Sequence, residues 1–258
     1  MPNFVPMSRL AIAIGNTHIK LGLFADQSLI NTWQVRTNQL QQLARLADEL
    51  AGLPCAIASV NPEVVTPWHH WDHTWLLGLP DIPLPNTYPS LGLDRAVVGW
   101  AGGQIYGWPI LVIDLGTAIS LTGLDQSGNF RGGAILPGVR SQFRSLHQDT
   151  AALPLVTQIT AEINPWGQDT FSAVCSGVVW GVSAALAQYI QAWQQLAGSG
   201  VIVITGGDQS LIYTHLIQIL PADQSLIKSD LIKCDPNLIL AGINLLSLAR
   251  DKINKTDC

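Results

Sequence analysis

Charge is the first thing this sequence lacks. Of its 258 residues only 12% are Asp, Glu, Lys or Arg, against 48% apolar, about half the charged share of an average globular chain. There is no long basic run and the net charge is -5, which argues against nucleic acid as a main partner. No uninterrupted apolar run approaches the roughly 18 residues of a membrane span, because Gly, Asn, Ser or Asp breaks each one. The scarcity of charge is therefore read as a buried subunit interface and not as a membrane segment. Residues 1–10, MPNFVPMSRL, have no basic stretch followed by an apolar one, so the expected location is the cytoplasm. The four cysteines, Cys55, Cys175, Cys234 and Cys258, form no CxxC pair and read as reduced thiols. Three signatures are also missing: GxxxxGK[ST], GxGxxG between a strand and a helix, and GxSxG. Their absence argues against a P-loop, a dinucleotide oxidoreductase and a serine-hydrolase elbow.

What is present is a pattern that occurs twice. Residues 10–14 read as a short apolar strand, Gly15-Asn16-Thr17 as a turn, and residues 19–24 as a returning strand. Ile110–Leu115, Gly116-Thr117 and Ala118–Leu124 say the same again. At an offset of 101 positions, Leu10, Ile12, Gly15, Gly22 and Leu23 meet Leu111, Ile113, Gly116, Gly123 and Leu124. One difference is chemical: the first copy has Ala13 where the second has Asp114. Helical spacing follows each copy. Leu40, Leu43, Ala44, Ala47 and Leu50 share a face, with Thr37 placed to cap. A second helix is expected from Asp94 to about Tyr106, a long one from Thr170 to about Ala197, and a last one after Pro236-Asn237 with Leu238, Ala241, Leu245 and Leu248 on one face. Residues 55–60 and 201–205 read as buried strands, and 130–136 as a third strand of the second half. Strands followed by helices in both halves give an α/β chain of two similar lobes with a cleft between them, where ligands tend to bind.

Several residues in this pattern can carry chemistry. Gly15-Asn16-Thr17 is either a plain hairpin turn or a cradle of backbone and short polar donors suited to phosphate; Gly116-Thr117 repeats it. Asp114 ends a run of Ile, Leu and Val, where a carboxylate needs pairing, a capping role or a cation. Asp94 and Arg95 open a helix: Asp94 is an N-cap or a general base, and Arg95 an anion contact or a surface charge. His18 and Lys20 lie on the returning strand, either solvated or against phosphate. The glycines of RGGAILPGV and ITGGDQ line a ligand or make ordinary turns. His69, His70 and His73 of WHHWDH suggest a metal, but the neighbouring aromatics and Pro67 favour a packed loop. Gly177, Gly181 and Ala185 suit close helix packing, across a dimer seam or in a core.

Taken in order, AIGNTHIKLGLF, GLDR, DLGTA, GGAILPG, GQDTFSAVCSG, TGGD and DPNLILAGINLL resemble the type III pantothenate kinases, within the superfamily of acetate and sugar kinases, Hsp70 and actin. The resemblance spans nearly the whole chain. It implies an α/β fold of two duplicated ribonuclease-H-like (actin-like ATPase) lobes with an interlobe cleft, placed at 1–109 and 110–258. It implies transfer of phosphate from ATP to pantothenate, Mg²⁺, a monovalent cation (K⁺ or NH₄⁺), and a cytoplasmic homodimer. By position, Asp94 matches the catalytic base. Tyr88, Gly92, Leu93, Asp94, Arg95 and Thr170 match the substrate contacts, and Asp114 the monovalent-cation ligand. Ala13, Ile14, Gly15, Asn16, Thr17, His18, Ile19 and Lys20 match the phosphate hairpin, and Thr117 a further ATP contact. The family's first motif reads D-x-G-N-T, and its Asp is Ala13 here. The expectation is an active kinase whose Mg²⁺ is held by ATP and water with help from Asn16; the alternative is a non-catalytic regulatory or scaffold relative.

Overall fold

The computed structural model of the chain describes residues 8–64, 66–159, 163–220 and 231–256; the leaderless reading of the first seven residues, and Cys258, lie outside them. Two five-stranded sheets carry the fold. In the first, β1 (Ser8–Ile14), β2 (His18–Ala25) and β3 (Ser28–Arg36) make an antiparallel meander. Strands β4 (Cys55–Ser59) and β5 (Thr74–Leu76) continue parallel to β1, giving the order β3-β2-β1-β4-β5. The second sheet repeats the plan with β6 (Ile110–Leu115), β7 (Ala118–Leu124), β8 (Phe130–Pro137), β9 (Val201–Thr205) and β10 (Ile232–Cys234), in the order β8-β7-β6-β9-β10. The duplication expected from the sequence is thus a duplication of topology, and the fold is two ribonuclease-H-like α/β lobes.

The register corrects the alignment of the two copies. Ile14 pairs with Ile19, leaving four residues in the first turn (15–18), whereas Leu115 pairs with Ile119, leaving three (116–118). The offset is 101 on the first strand and 100 on the second, so Gly22/Gly123 and Leu23/Leu124 are not equivalent. Ile19/Ile119 and Leu21/Leu121 are.

The helices are α1 (Leu40–Glu49), α2 (Leu93–Tyr106), α3 (Val139–Asp149), α4 (Thr170–Ala197), α5 (Gln209–Ile219) and α6 (Leu238–Thr256). The chain forms two compact units: the described residues up to Gly102 together with those from Asn237 on, and Gly103–Pro236. This differs from contiguous lobes at 1–109 and 110–258, because α6 returns to the first unit.

In the first unit the strands alternate large and small. Leu10, Ile12, Ile14, Ile19, Leu21 and Ile57 face Leu43, Leu46 and Ala47 of α1 and its C-cap Leu50; Ala44, expected on that face, is exposed, and Leu46 takes its place. The opposite face is Ala11, Ala13, Gly22, Ala56 and Ala58, and α6 packs on it. A Cβ on Gly22 would stand 3.2 Å from Leu240 Cδ1, and one on Gly242 would stand 2.7 Å from the Ala101 Cβ of α2. Small residues on sheet and helix therefore allow close layers. On α6, Leu238, Leu240, Ile243, Asn244 and Leu246 are buried, while Ala241, Leu245 and Leu248 are only half-buried.

Arg9 ties β1 to α6. Its guanidinium is buried and donates to Ser247 Oγ at 3.1 Å and Asp251 Oδ2 at 2.7 Å. Removing the acid strands a buried cation, so Asp251→Ala should lower unfolding free energy by about 1–3 kcal/mol. Urea denaturation checks this, and Arg9→Met with Asp251→Ala should lose less than the two single losses added.

The second unit packs Leu111, Ile113, Leu115, Ile119, Leu121, Ile202 and Ile204 against α3, α4 and α5. Helix α4 carries no charged residue over 28 positions. It is long and apolar enough to cross a membrane by length and composition, yet 44% of its most apolar window is buried in the protein. Val174, Val178, Val182, Leu186 and Ile190 form that core-facing side. Gly177 and Gly181 lie on the exposed side, where an added Cβ meets nothing within 4 Å; they do not serve packing within the chain.

Candidate functional site

The first hairpin turn is braced from below. Gly15 N donates to His18 O at 2.9 Å, and Val60 N to Ile14 O at 3.0 Å. Thr37, expected to cap α1, does something else: its amide donates to Thr17 O at 3.1 Å and its hydroxyl reaches Asn16 O and Thr17 O at 3.4 Å. The α1 N-cap is Gln39, with no side-chain cap bond. Asn16 is exposed, while Ala13, Gly15, Thr17, His18 and Lys20 are partly exposed and Ile14 and Ile19 are core residues. Ile14 and Ile19 therefore hold the hairpin through the core.

The second turn is more elaborate. Gly138, the N-cap of α3, donates its amide to Thr117 O at 3.1 Å, and Ser141 Oγ donates to the same oxygen at 2.8 Å. Gly138 lies so close that a Cβ there would collide with Gly116 O and Thr117 O; this is the tight strand-to-helix turn of LPGV. Asp114 pairs across the sheet with Ser120 and Thr205, so three oxygen-bearing side chains share one face. Gly206, at φ +96, lies where a Cβ would stand 2.6 Å from Asp114 Oδ1. Asp208 N donates to Leu115 O at 3.1 Å, and Arg140 Nε pairs with Asp208 Oδ1 at 3.4 Å. Arg144 donates to Ser141 Oγ at 3.0 Å. Arg140 and Arg144 were not singled out from sequence. A PGVR…R pattern just after the third strand of a lobe is the only signal that points to them.

The GLDR stretch closes on itself. Asp94, second residue of α2, accepts from Arg95 N at 2.8 Å through Oδ1. A Cβ on Gly92 would stand 2.7 Å from that oxygen, so glycine is what admits the carboxylate. Its other oxygen takes no hydrogen bond among the described residues. Arg95 is buried and donates from Nη1 to Tyr88 Oη at 2.9 Å. Tyr88, Gly92, Asp94 and Arg95 are thus one constellation in the first unit. Leu93 starts the helix beside them.

Thr170 is elsewhere, as the first residue of α4 in the second unit. The Asp169 before it caps the helix through Ser172 N at 2.9 Å, and that bond and the Ser172 hydroxyl hold its carboxyl below the usual range. Beside this cap lies a cavity of about 380 Å³, lined among others by Trp166, Gly167, Phe171 and Cys175. Trp166 is 87% exposed, an unusual state for the largest side chain. Burial, with the Asp169 charge, pushes the Cys175 thiol up. Where α2 ends, Tyr106 Oη donates to Asp235 Oδ2 at 3.1 Å; burial first, then that acid, pushes its hydroxyl up to about 12.

The histidine segment is not the loop expected: Pro67–His70 form a turn of 3-10 helix, with Trp68 buried and His70 and His73 exposed. His69 Nδ1 bonds Thr66 N at 3.0 Å and lies 2.9 Å from Thr66 Oγ1; Trp68 is buried, edge-on to Trp71. No cluster of His, Cys, Asp and Glu fit for a metal occurs among the described residues.

The sequence profile of the type III pantothenate kinase family matches residues 9–192. A type III pantothenate kinase of Synechococcus elongatus is 42% identical over 254 residues, covering 94% of this chain and 98% of the relative. One of Thermosynechococcus vestitus is 39% identical over 244 residues, covering 94% and 91%. Among solved structures, the activator of 2-hydroxyisocaproyl-CoA dehydratase from Clostridium difficile, with bound ADPNP, superposes at a TM-score of 0.58. It is 11% identical and covers 98% of each chain. A ROK family glucokinase of Streptomyces griseus, in complex with glucose and AMPPNP, superposes at 0.52 with 14% identity, covering 93% of this chain and 98% of its own. At such identities the two structures speak for the fold alone.

Proposed function

The chain belongs to the type III pantothenate kinase family, and from that premise we propose which residues transfer the γ-phosphate of ATP to the primary alcohol of pantothenate. The product is 4'-phosphopantothenate, the first step towards coenzyme A. Asp94 is the base. The observation that carries this is its geometry: one carboxylate oxygen is pinned by the Arg95 amide and the missing Cβ of Gly92, and the other is uncommitted among the described residues. An oxygen so placed can accept a hydroxyl proton while the alcohol attacks phosphorus. Arg95 and Tyr88 hold the substrate carboxylate and its neighbouring polar groups, with Gly92 and Leu93 beside them. Thr170, the first residue of α4, is proposed as a further substrate contact.

The proposed ATP contacts are the 13–20 hairpin and, separately, Gly116-Thr117, whose backbone is pinned where Gly138 N and Ser141 Oγ donate to Thr117 O. Asp114, with Ser120 and Thr205 on its face, is an all-oxygen set of the kind that takes a hard monovalent cation such as K⁺ or NH₄⁺. That cation supplies fixed positive charge near the phosphates. Mg²⁺ is a different matter: Ala13 offers no ligand and Lys20 stands opposite it, so the first hairpin does not fit a protein-held divalent ion, and Mg²⁺ enters as the nucleotide's own counter-ion. The non-catalytic alternative draws no support from the relatives. The protein is proposed to be cytoplasmic and a homodimer, with the uncharged, exposed Gly177–Gly181 side of α4 as its seam.

The test is purified protein with ATP, Mg²⁺ and pantothenate in K⁺ or in Na⁺, followed by mass spectrometry. Phosphopantothenate should form faster in K⁺, and Asp114→Ala should erase the difference between the cations. ATP consumption with no phosphopantothenate would sink the substrate assignment.

A further inference from the structure

The row of the second sheet that holds Asp114 continues past its oxygen-bearing side chains. Across the strands it reads Thr205, Asp114, Ser120 and, on the edge strand β8, Ile135. Ile135 is 64% exposed; among the described residues it is the one large apolar side chain on a strand of this sheet that stands open to solvent. The adjacent row, Val203, Val112 and Thr122, is buried and ends on Gly133. Alternate residues of a strand share a face. Gly133 therefore flanks Ile135 on one side with no side chain to screen it, and Pro137 flanks it on the other. Pro137 pairs with Ala118, and both are exposed. Ala134 and Leu136, on the opposite face, pack against the core.

Ile135, Pro137 and Ala118 thus form an apolar shelf at the end of the sheet that carries the Gly116-Thr117 turn. Directly paired residues have Cβ atoms about 5 Å apart, so Ile135 stands beside Ser120 and, one strand further, about 10 Å from Asp114. A single exposed isoleucine elsewhere on a surface means little. This one shares a row with the proposed cation ligand and borders a proposed phosphate turn. The chemistry of pantothenate asks for such a neighbour. Its primary alcohol lies two bonds from a quaternary carbon that bears two methyl groups. Wherever that oxygen meets phosphorus the methyls arrive with it, and aliphatic surface is what takes them out of water.

We infer that Ile135, flanked by Pro137 and Ala118, is the specificity-determining contact for the paired methyl groups of pantothenate. This rests on the reading of Gly116-Thr117 as an ATP contact and adds to it a substrate contact outside the GLDR stretch and Thr170. Holding the methyls also restricts rotation about the bond to the alcohol carbon, which aims the oxygen at phosphorus. A well-enclosed methylene is worth roughly 10- to 200-fold in kcat/KM. A shelf on an edge strand, open on one side, belongs near the lower end, at about tenfold.

The experiment compares two acceptors, pantothenate and the analogue in which both methyls are replaced by hydrogen, with ATP and Mg²⁺. The full-length wild type, Ile135→Ala, Ile135→Thr and Ile135→Val are assayed, with circular dichroism and sedimentation velocity as checks of fold and assembly. Wild type should prefer pantothenate by about tenfold or more in kcat/KM. Ile135→Ala should lose about tenfold with pantothenate and less than about twofold with the analogue, so that the preference nearly disappears. Ile135→Thr, which keeps the β-branched shape suited to a strand, should do the same, while Ile135→Val retains most of the preference. KM for ATP should not move in any of them. A preference unchanged in Ile135→Ala and Ile135→Thr overturns the inference and leaves the kinase assignment standing. So does a wild type that uses both acceptors equally, or a rise in KM for ATP. Equal losses with both acceptors also overturn it; if sedimentation changes with them, the shelf belongs to contact with a second copy of the chain. A wild type that phosphorylates neither acceptor removes the kinase reading and the inference together.

Discussion

Asp94→Asn should lower kcat by about 10²- to 10⁴-fold, the range expected when a positioned general base is lost. The amide keeps the shape of the carboxylate, and its oxygen can still accept from Arg95 N. The start of α2 and the Tyr88–Arg95 contact should therefore stay in place. KM for ATP should hardly move, since Asp94 is assigned to the alcohol and not to the nucleotide. Pre-steady-state phosphopantothenate formation, with circular dichroism to confirm the fold, decides the matter. A kcat within threefold of wild type would remove Asp94 from the chemistry. Gly92→Ala is a useful companion, because its Cβ would stand 2.7 Å from Asp94 Oδ1 and should perturb turnover by moving the base without altering its charge.

Gly206→Ala should act on both stability and activity. Its φ of +96 disfavours any residue with a Cβ, and the added carbon would stand 2.6 Å from Asp114 Oδ1 and from Leu115 N. A left-handed conformation and a backbone clash together cost about 2–4 kcal/mol. Relief has to come from movement of the β9–α5 turn or of Asp114. Either one disturbs the cation-binding face, so the dependence on K⁺ should weaken in whatever fraction remains folded. Thermal unfolding with and without K⁺ measures both effects. A variant with wild-type stability and an undiminished response to K⁺ would show that the close approach of Gly206 to Asp114 is incidental.

Reading these residues from sequence succeeded where chemistry is local. The strand-turn-strand pairs, the helix opened by Asp94 and the helix Thr170–Ala197 are announced by apolar runs, glycine turns and capping residues within a few positions of one another. It failed where the deciding partner is distant or where exposure hides the pattern. Strand β3 buries only Val35 among nine residues, since it is a sheet edge and has no apolar alternation to display. Strands β5 and β10, at three residues each, are defined by their neighbours more than by themselves. Thr37 looked like a cap because it precedes a helix, but the turn it serves lies 20 and 21 positions earlier. The Arg140–Asp208 pair spans 68 positions, and nothing in either segment announces it. The one-residue difference between the turns lies in hydrogen-bond register, which identity matching between Gly and Leu residues cannot resolve.

The return of α6 has a consequence for how the polypeptide emerges from the ribosome. The sheet made first needs the helix made last: until residues 238–256 are available, the face carrying Ala11, Ala56 and Ala58 has no cover. The later segment, Gly103–Pro236, is contiguous and can close as soon as it is complete. Biosynthetic order and assembly order are thus inverted, and translation arrested in the 230s would deliver one finished lobe attached to an open sheet of the kind that chaperones and proteases recognise.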